Sequence, residues 1–211
     1  MKVLLVNGSP HKKGCIFTAL SEVGKSLEKH GIETEFYWIG NEALSGCTGC
    51  YQCVDKKKCA IDDRVNEFTE YAAGFDGFVF GSPVYFSGMA GGLKSFLDRA
   101  FYSSSHREDN PFRFKPAAAV VSARRAGTTS ALDQIHKYFY IQQMLIVPSR
   151  YWTMVHGRKP SEVMQDEEGL QIMRVLGRNM AWVLKLKEAG MKAGIPLPQD
   201  EEERISTSFI R

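Results

Sequence analysis

The sequence predicts an α/β domain in which a parallel sheet carries helices on both faces, and three observations support that fold. Five short apolar runs alternate with stretches of helical periodicity over 211 residues. Several of the runs stop at Gly, Ser or Pro, followed at once by a helix rather than by a hairpin signal. Right-handed crossovers between parallel strands place such helices on both faces. With 44% hydrophobic residues there is apolar material for one core, and a single domain over 1–211 is expected.

The elements follow in order. Val3 to Val6 is a continuous apolar strand ending at Asn7-Gly8-Ser9-Pro10, and Phe17 to Lys29 has helical spacing closed by His30-Gly31. Ile32 to Ile39 alternates as a half-exposed strand. An irregular Gly- and Cys-bearing segment then runs over about 40–61, long enough to suggest function. Asp62 or Asp63 can cap a helix through Ala72, and Phe75 to Gly81 is a buried strand ending at Ser82-Pro83. A helix from about Gly88 to Tyr102 carries Leu93, Phe96 and Leu97 on one stripe, before a polar loop with His106, Arg107 and Asn110. Pro116 to Ser122 is the fourth strand, Gly127 to Tyr140 a helix and Met144 to Val147 the fifth strand. One long helix is expected over about 160–190. Ligands of such sheets bind beyond the carboxyl ends of the strands, so the turns after Val6, Phe80 and Val121 are the places of interest.

Charge and cysteine usage narrow the function classes. A formal charge of +3, with local basic clusters only at Lys56-Lys57-Lys58 and Arg124-Arg125, does not make a nucleic-acid surface. No apolar stretch reaches the length of a membrane span or a signal-peptide core, so a cytoplasmic location is expected, with no nucleic-acid or membrane partner. Five cysteines in such a chain read as reduced ligands or redox groups rather than as a disulfide scaffold.

The first turn places two glycines, the Ser9 and Thr18 hydroxyls and free backbone N–H groups at a helix start, an arrangement suited to a phosphate monoester. It has neither the Gly-Lys-Ser/Thr ending of a P-loop nor G-x-G-x-x-G. An ordinary strand-to-helix turn would use the same Gly and Ser. Asn7 to Gly14 resembles the G-S-P-R-x-x-G-N/S-T loop of the NADPH-dependent FMN reductase family of the flavodoxin-like superfamily. Gly81-Ser82-Pro83-Val84-Tyr85-Phe86, followed by Met89 and by Lys94, Phe96, Asp98 and Arg99, resembles the same family's P-x-Y turn and K-x-F-x-D-R helix. His11 stands where the family often has Arg, and Cys15 and Ile16 replace the usual Asn or Ser and Thr.

The resemblance implies a flavodoxin-like three-layer sandwich with a five-stranded parallel sheet in the order 2-1-3-4-5, binding FMN. It implies that Ser9, His11, Gly14, Cys15, Phe17 and Thr18 surround the phosphate. Pro83, Val84, Tyr85, Phe86 and Ser87 would wrap the isoalloxazine, and Ser122, Ala123, Arg124, Arg125 and Gly127 its other edge. One of the two arginines would stabilise anionic reduced flavin or attract the extra phosphate of NADPH. Reduction by NAD(P)H needs stacking and orientation rather than a side-chain acid or base, so no proton-transfer residue is assigned. A homodimer or tetramer is expected, with Tyr151 to Val155 and the Met180 to Leu184 helix face as candidate contacts.

Cys47, Cys50, Cys53 and Cys59 have the spacing C-x2-C-x2-C-x5-C, compact enough for four thiolates to surround one metal centre. The motif resembles that of the iron-sulfur flavoproteins, a branch of the same superfamily with a [4Fe-4S] cluster beside FMN. Free or reversibly oxidised thiols and a zinc site remain open. The leading expectation is an NAD(P)H-dependent flavin oxidoreductase passing electrons to a quinone, flavin, nitro or azo compound, or redox partner. The alternatives are an electron carrier fed by ferredoxin and, from a different class, a regulatory zinc protein.

Overall fold

The structure, a computed structural model, describes residues 1–203 and 205–207. The expected domain span of 1–211 therefore includes residues outside the described ones.

Strand β1 (Lys2–Asn7) lies between β2 (Glu33–Trp38) and β3 (Gly77–Tyr85), and β3 lies between β1 and β5 (Pro116–Ala123), all parallel. Burial on both faces explains their unbroken apolar runs. Val3 and Leu5 point to one core cluster while Leu4 and Val6 point to the other; Val79 is likewise opposed to Phe78 and Phe80. On one face α1 (Cys15–Lys29) and α7 (Glu167–Lys192) cover the sheet; on the other α3 (Arg64–Ala72), α4 (Gly91–Ser104) and α5 (Thr128–Ile141) do. This is the flavodoxin-like three-layer sandwich. Among the described residues no helix is long and apolar enough to cross a membrane.

The central order β2-β1-β3-β5-β6 matches 2-1-3-4-5, with β6 (Leu145–Ile146) as the fifth strand. The sheet differs from expectation at its edge. β6 pairs only with Pro116 and Ala117, and β7 (Met154–His156) takes over against Val121, Ser122 and Ala123. Thr153 donates its hydroxyl to the Ala119 carbonyl at 2.5 Å, bridging the gap between the two short strands.

Three further boundaries are corrected. β3 does not end at Ser82-Pro83 but continues to Tyr85 and turns back into β4 (Gly88–Met89), so residues 88–89 are strand rather than helix. Tertiary partners decide this: the Met89 N–H donates to Gln134 Oε1 and the Ala90 N–H to Ser82 Oγ. Pro83 lies beyond the β1–β3 register, which ends at Asn7↔Gly81, so its missing N–H is not required on that side. The expected helix over 160–190 is two, α6 (Pro160–Val163) and α7. Asp166 separates them by accepting from the Gly169 and His156 N–H groups, a capping geometry that competes with continuous helix. The Cys segment contains a single helical turn, α2 (Cys53–Lys56).

Helices α1 and α7 are in close contact at Gly177, where a Cβ would lie 2.6 Å from Ser26 Cβ and 2.7 Å from the Val23 carbonyl oxygen. The Met180, Ala181 and Leu184 face is consumed by this same core, which leaves only Trp182, 63% exposed, available from the stretch expected at a subunit contact. Gly177→Ala should therefore lower stability by about 1–3 kcal/mol through overpacking, measured by denaturant unfolding, while flavin uptake by the folded fraction is unchanged.

Candidate functional site

Three loops meet at the carboxyl rim of the sheet. In the first, Asn7 is buried and its side chain knits the loop: Oδ1 accepts from the Ser9 N–H at 3.0 Å, and Nδ2 donates to the carbonyls of Lys12 at 3.1 Å and His11 at 3.5 Å. Ser9 Oγ accepts from the His11 N–H, and Trp38, at the end of β2, donates from Nε1 to the Ser9 carbonyl at 2.8 Å. Neither Asn7 nor Trp38 was among the residues expected from sequence, because their partners are fixed only by tertiary placement.

The side chains expected around the phosphate divide. Ser9 is buried within the loop, while His11 is exposed at its tip. Thr18 Oγ1 donates back to the Gly14 carbonyl, and the Phe17 ring packs on Phe36 with centroids 4.8 Å apart. Cys15 Sγ faces the Gly157 carbonyl at 3.7 Å, and burial pushes its thiol up. Phe17 and Cys15 thus turn their side chains elsewhere and bring backbone N–H groups to the start of α1. That helix begins at Gly14 with no side-chain cap and no acidic residue in its first turn, which leaves donors and the positive dipole end for an anion.

The second loop is the β3–β4 hairpin. Tyr85 pairs with Gly88, and Phe86 and Ser87 form a two-residue turn with φ of 49° and 60°. Both central residues are left-handed, as a type I′ turn requires, although Asn-Gly would meet that requirement with less strain. Phe86 is 108% exposed and Tyr85 is exposed beside it. The third loop packs directly against this tip: at Gly127, φ 90°, a Cβ would lie 2.7 Å from Ser87 Cα. Ser122 and Ala123 are buried at the end of β5, whereas Arg124 and Arg125 are exposed. Among the described residues neither guanidinium has a hydrogen-bond or ion-pair partner. Helices α4 and α5 also start without side-chain caps, at Ala90 and Gly127. By contrast Asp63 caps α3 and Asp166 caps α7.

The family-like helix motif separates by role. Phe96 is core, Lys94 pairs with Asp98, and Asp98 accepts from the Tyr138 hydroxyl of α5. Burial, with the Asp98 acceptor adding to it, pushes the Tyr138 phenol up to about 12. Arg99 turns to the opposite side and lines a cavity together with Cys47, Cys50, Cys53 and Cys59.

The four thiols of the C-x2-C-x2-C-x5-C segment are therefore brought around one cavity. Cys53 is buried, which pushes its thiol up, while Cys47 and Cys50 are exposed at the mouth. At Cys50 the Gln52 N–H and then the Thr48 hydroxyl hold the thiol below its ordinary value. The loop curls through left-handed Gly49, Tyr51 and Lys57. All five cysteines are free. The sulfurs surround the cavity without closing on a single point: among the described residues no group of three or more His, Cys, Asp or Glu side chains is placed to hold one ion.

Comparison with known proteins gives a consistent family. The model of the family described as NADPH-dependent FMN reductase matches residues 1–159. An iron-sulfur flavoprotein of Methanocaldococcus jannaschii is 35% identical over 193 residues, covering 88% of this chain and 98% of that protein. An iron-sulfur flavoprotein of Methanosarcina thermophila is 30% identical over 191 residues, covering 88% and 96%. A solved flavodoxin from the domain Archaea shares the fold, with a TM-score of 0.58 at 17% identity over 88% of this chain and 99% of that one. A family match that spans all three rim loops, with full-length likeness to iron-sulfur flavoproteins, means that the chain belongs to the NADPH-dependent FMN reductase family, close to its iron-sulfur flavoprotein branch.

Proposed function

We propose that the chain, acting as one domain, binds FMN across the three rim loops and passes electrons from NAD(P)H to a quinone, flavin, nitro or azo compound, or a redox partner protein. The observation that carries this reading is the convergence of three uncapped helix starts, at Gly14, Ala90 and Gly127, on one rim. Two of them flank a hairpin with exposed aromatics. When bound, FMN supplies a ring that takes up a hydride and releases electrons one or two at a time.

The chain's own residues do the rest. Ser9, Gly14 and the N–H groups of Cys15, Ile16 and Phe17 receive the phosphate, with Thr18 closing the first turn on the Gly14 carbonyl and His11 at the entrance. Pro83 sets the exit from the sheet, Val84 to Ser87 present backbone N–H groups and the Tyr85 and Phe86 rings to the flat ring system, and Ser122, Ala123 and Gly127 close the opposite edge. Arg124 or Arg125, exposed and unpartnered among the described residues, meets the negative charge of reduced flavin or of a nicotinamide phosphate. No side-chain acid or base is required, because orientation of the two rings suffices for hydride delivery.

The donor set of Cys47, Cys50, Cys53 and Cys59 fits a [4Fe-4S] cluster: four soft thiolates around one cavity, a curled loop and a buried cation beside them. The curated relatives are named iron-sulfur flavoproteins, and the second reading is an iron-sulfur flavoprotein that serves as an electron carrier fed by ferredoxin. For the assembly we propose a cytoplasmic homodimer or tetramer using the exposed Tyr151 and Trp152.

Anaerobically purified protein should show two resolved flavin bands with a broad brown shoulder, and carry iron and acid-labile sulfide. It should oxidise NADPH or NADH with a dye acceptor; reduction by ferredoxin alone would select the carrier. Protein that stays colourless when offered FMN would overturn the reading entirely. Asn7→Ala, which unties the first loop, should weaken FMN binding about tenfold to a hundredfold, read by quenching of flavin fluorescence. Replacing Arg124 and Arg125 together by Gln should raise KM for NADPH about tenfold through loss of charge-assisted contacts, with kcat and the KM for NADH nearly unchanged.

A further inference from the structure

Among the described residues Arg99 is the largest fully buried side chain, with its side chain 1% exposed, and it uses every donor it has. Its Nε donates to Cys59 Sγ at 3.2 Å. One terminal nitrogen donates to Asp63 Oδ2 at 2.7 Å and the Ser45 carbonyl at 3.3 Å; the other donates to Asp63 Oδ1 at 2.8 Å and the Ile61 carbonyl at 2.9 Å. A guanidinium has five N–H groups in a rigid plane; three reach the cysteine segment, at Ser45, Cys59 and Ile61, and two hold Asp63, the cap of α3 that follows it. Ser45 precedes Cys47, while Cys59, Ile61 and Asp63 follow Cys53, so one cation laces both ends of the loop together.

Cys59 is held from a second side as well. Its N–H donates to Asn66 Oδ1 and its carbonyl accepts from Asn66 Nδ2, both at 3.0 Å. Cys47 and Cys50, by comparison, are exposed.

We propose that Arg99 is the positioning residue of the cysteine site: it fixes the Cys59 sulfur by a directed N–H and sets the electron affinity of whatever centre the four thiolates hold. The proposal rests on the iron-sulfur reading of that site for its redox consequence, but not for its geometry. A thiolate-bound centre that takes up one electron gains one negative charge, and part of it falls on the ligating sulfurs. A charge-assisted N–H at Cys59 and a fixed cation at the wall of a mostly apolar cavity both favour that reduced state.

Arg99→Lys keeps the unit charge beside Asp63 but has no planar fork with which to serve Asp63 and Cys59 together. Electrochemical titration with dithionite, followed at the iron-sulfur absorption, should show the one-electron reduction equilibrium weakened about tenfold, 59 mV lower, while the flavin couple in the same sample stays in place. The paired variant R99M/D63N removes the cation without stranding its partner and should shift the potential in the same direction. In metal-free, reduced protein, alkylation of Cys59 by iodoacetamide, read by peptide mass spectrometry, should accelerate about tenfold in R99K, with Cys47 and Cys50 unchanged. An unaltered potential at full iron content overturns the proposal and leaves the iron-sulfur reading intact. Wild-type protein that takes up no iron or sulfide on reconstitution defeats that reading instead, and the alkylation pattern then decides Arg99. Acceleration confined to Cys59 upholds its role, and equal acceleration at all four thiols overturns it.

Discussion

A parallel sheet gathers at one rim the amino ends of the helices that follow its strands, and this constraint governs the rest of the structure. β1, β3 and β5 run in one direction, so α1, α4 and α5 all begin at the same edge. Each start presents backbone N–H groups without intrahelical partners and the positive end of a helix dipole. A chain that needed only stability would satisfy these donors with Ser, Thr, Asp or Asn caps, each contributing about 1 kcal/mol. Asp63 and Asp166 do so for α3 and α7, yet Gly14, Ala90 and Gly127 do not for the three rim helices. Among the helices longer than one turn, the caps are absent at the three starts where an anionic, planar ligand would supply the missing acceptors.

The same restraint explains where backbone strain is kept. Phe86 and Ser87 hold left-handed conformations that glycine and asparagine adopt more readily, at the tip of a hairpin whose register is fixed by Gln134 on α5 and Ser82 on β3. Gly127 lets the third loop lie against that tip, since any Cβ there would meet Ser87. The tip is thus over-determined by its surroundings while its largest side chain, Phe86, remains in solvent.

What sequence reveals here divides by the range of the interaction. The alternation of Val3–Val6, Phe75–Gly81 and Pro116–Ser122 with helical stretches was enough for the layers, because burial on both faces forces continuous apolar runs, while the central strand order came from the family resemblance of the rim motifs. Gly, Ser and Pro at the strand ends marked the rim loops for the same local reason. Boundaries set by distant partners were not legible. Gly88-Met89 joins a strand because Gln134 receives the Met89 N–H, and the last helix breaks because Asp166 is tied to β7 as well as to Gly169. Asn7 and Trp38 look like the ordinary ends of two strands until the first loop folds onto them. Arg99 was legible only as part of a helix motif; its burial against Asp63 and Cys59, 36 and 40 residues away in sequence, has no local signature.

Helix α4 ties the two halves of the proposed chemistry together. Its start at Ala90 belongs to the rim hairpin, and Arg99, nine residues on, reaches into the cysteine cavity. At 1.5 Å per residue these points lie about 13 Å apart along the axis. Leu93, Phe96, Leu97 and Ala100 lock the intervening turns into the core, and the Lys94–Asp98–Tyr138 contacts fasten the outer side to α5. A helix packed on both sides does not bend or slide without opening cavities, so the separation of flavin loop and thiols is a property of the core rather than of either loop. Variation in the hairpin can then alter which acceptor approaches the flavin without moving the cysteine site, and changes around Arg99 can alter the thiols without disturbing the rim.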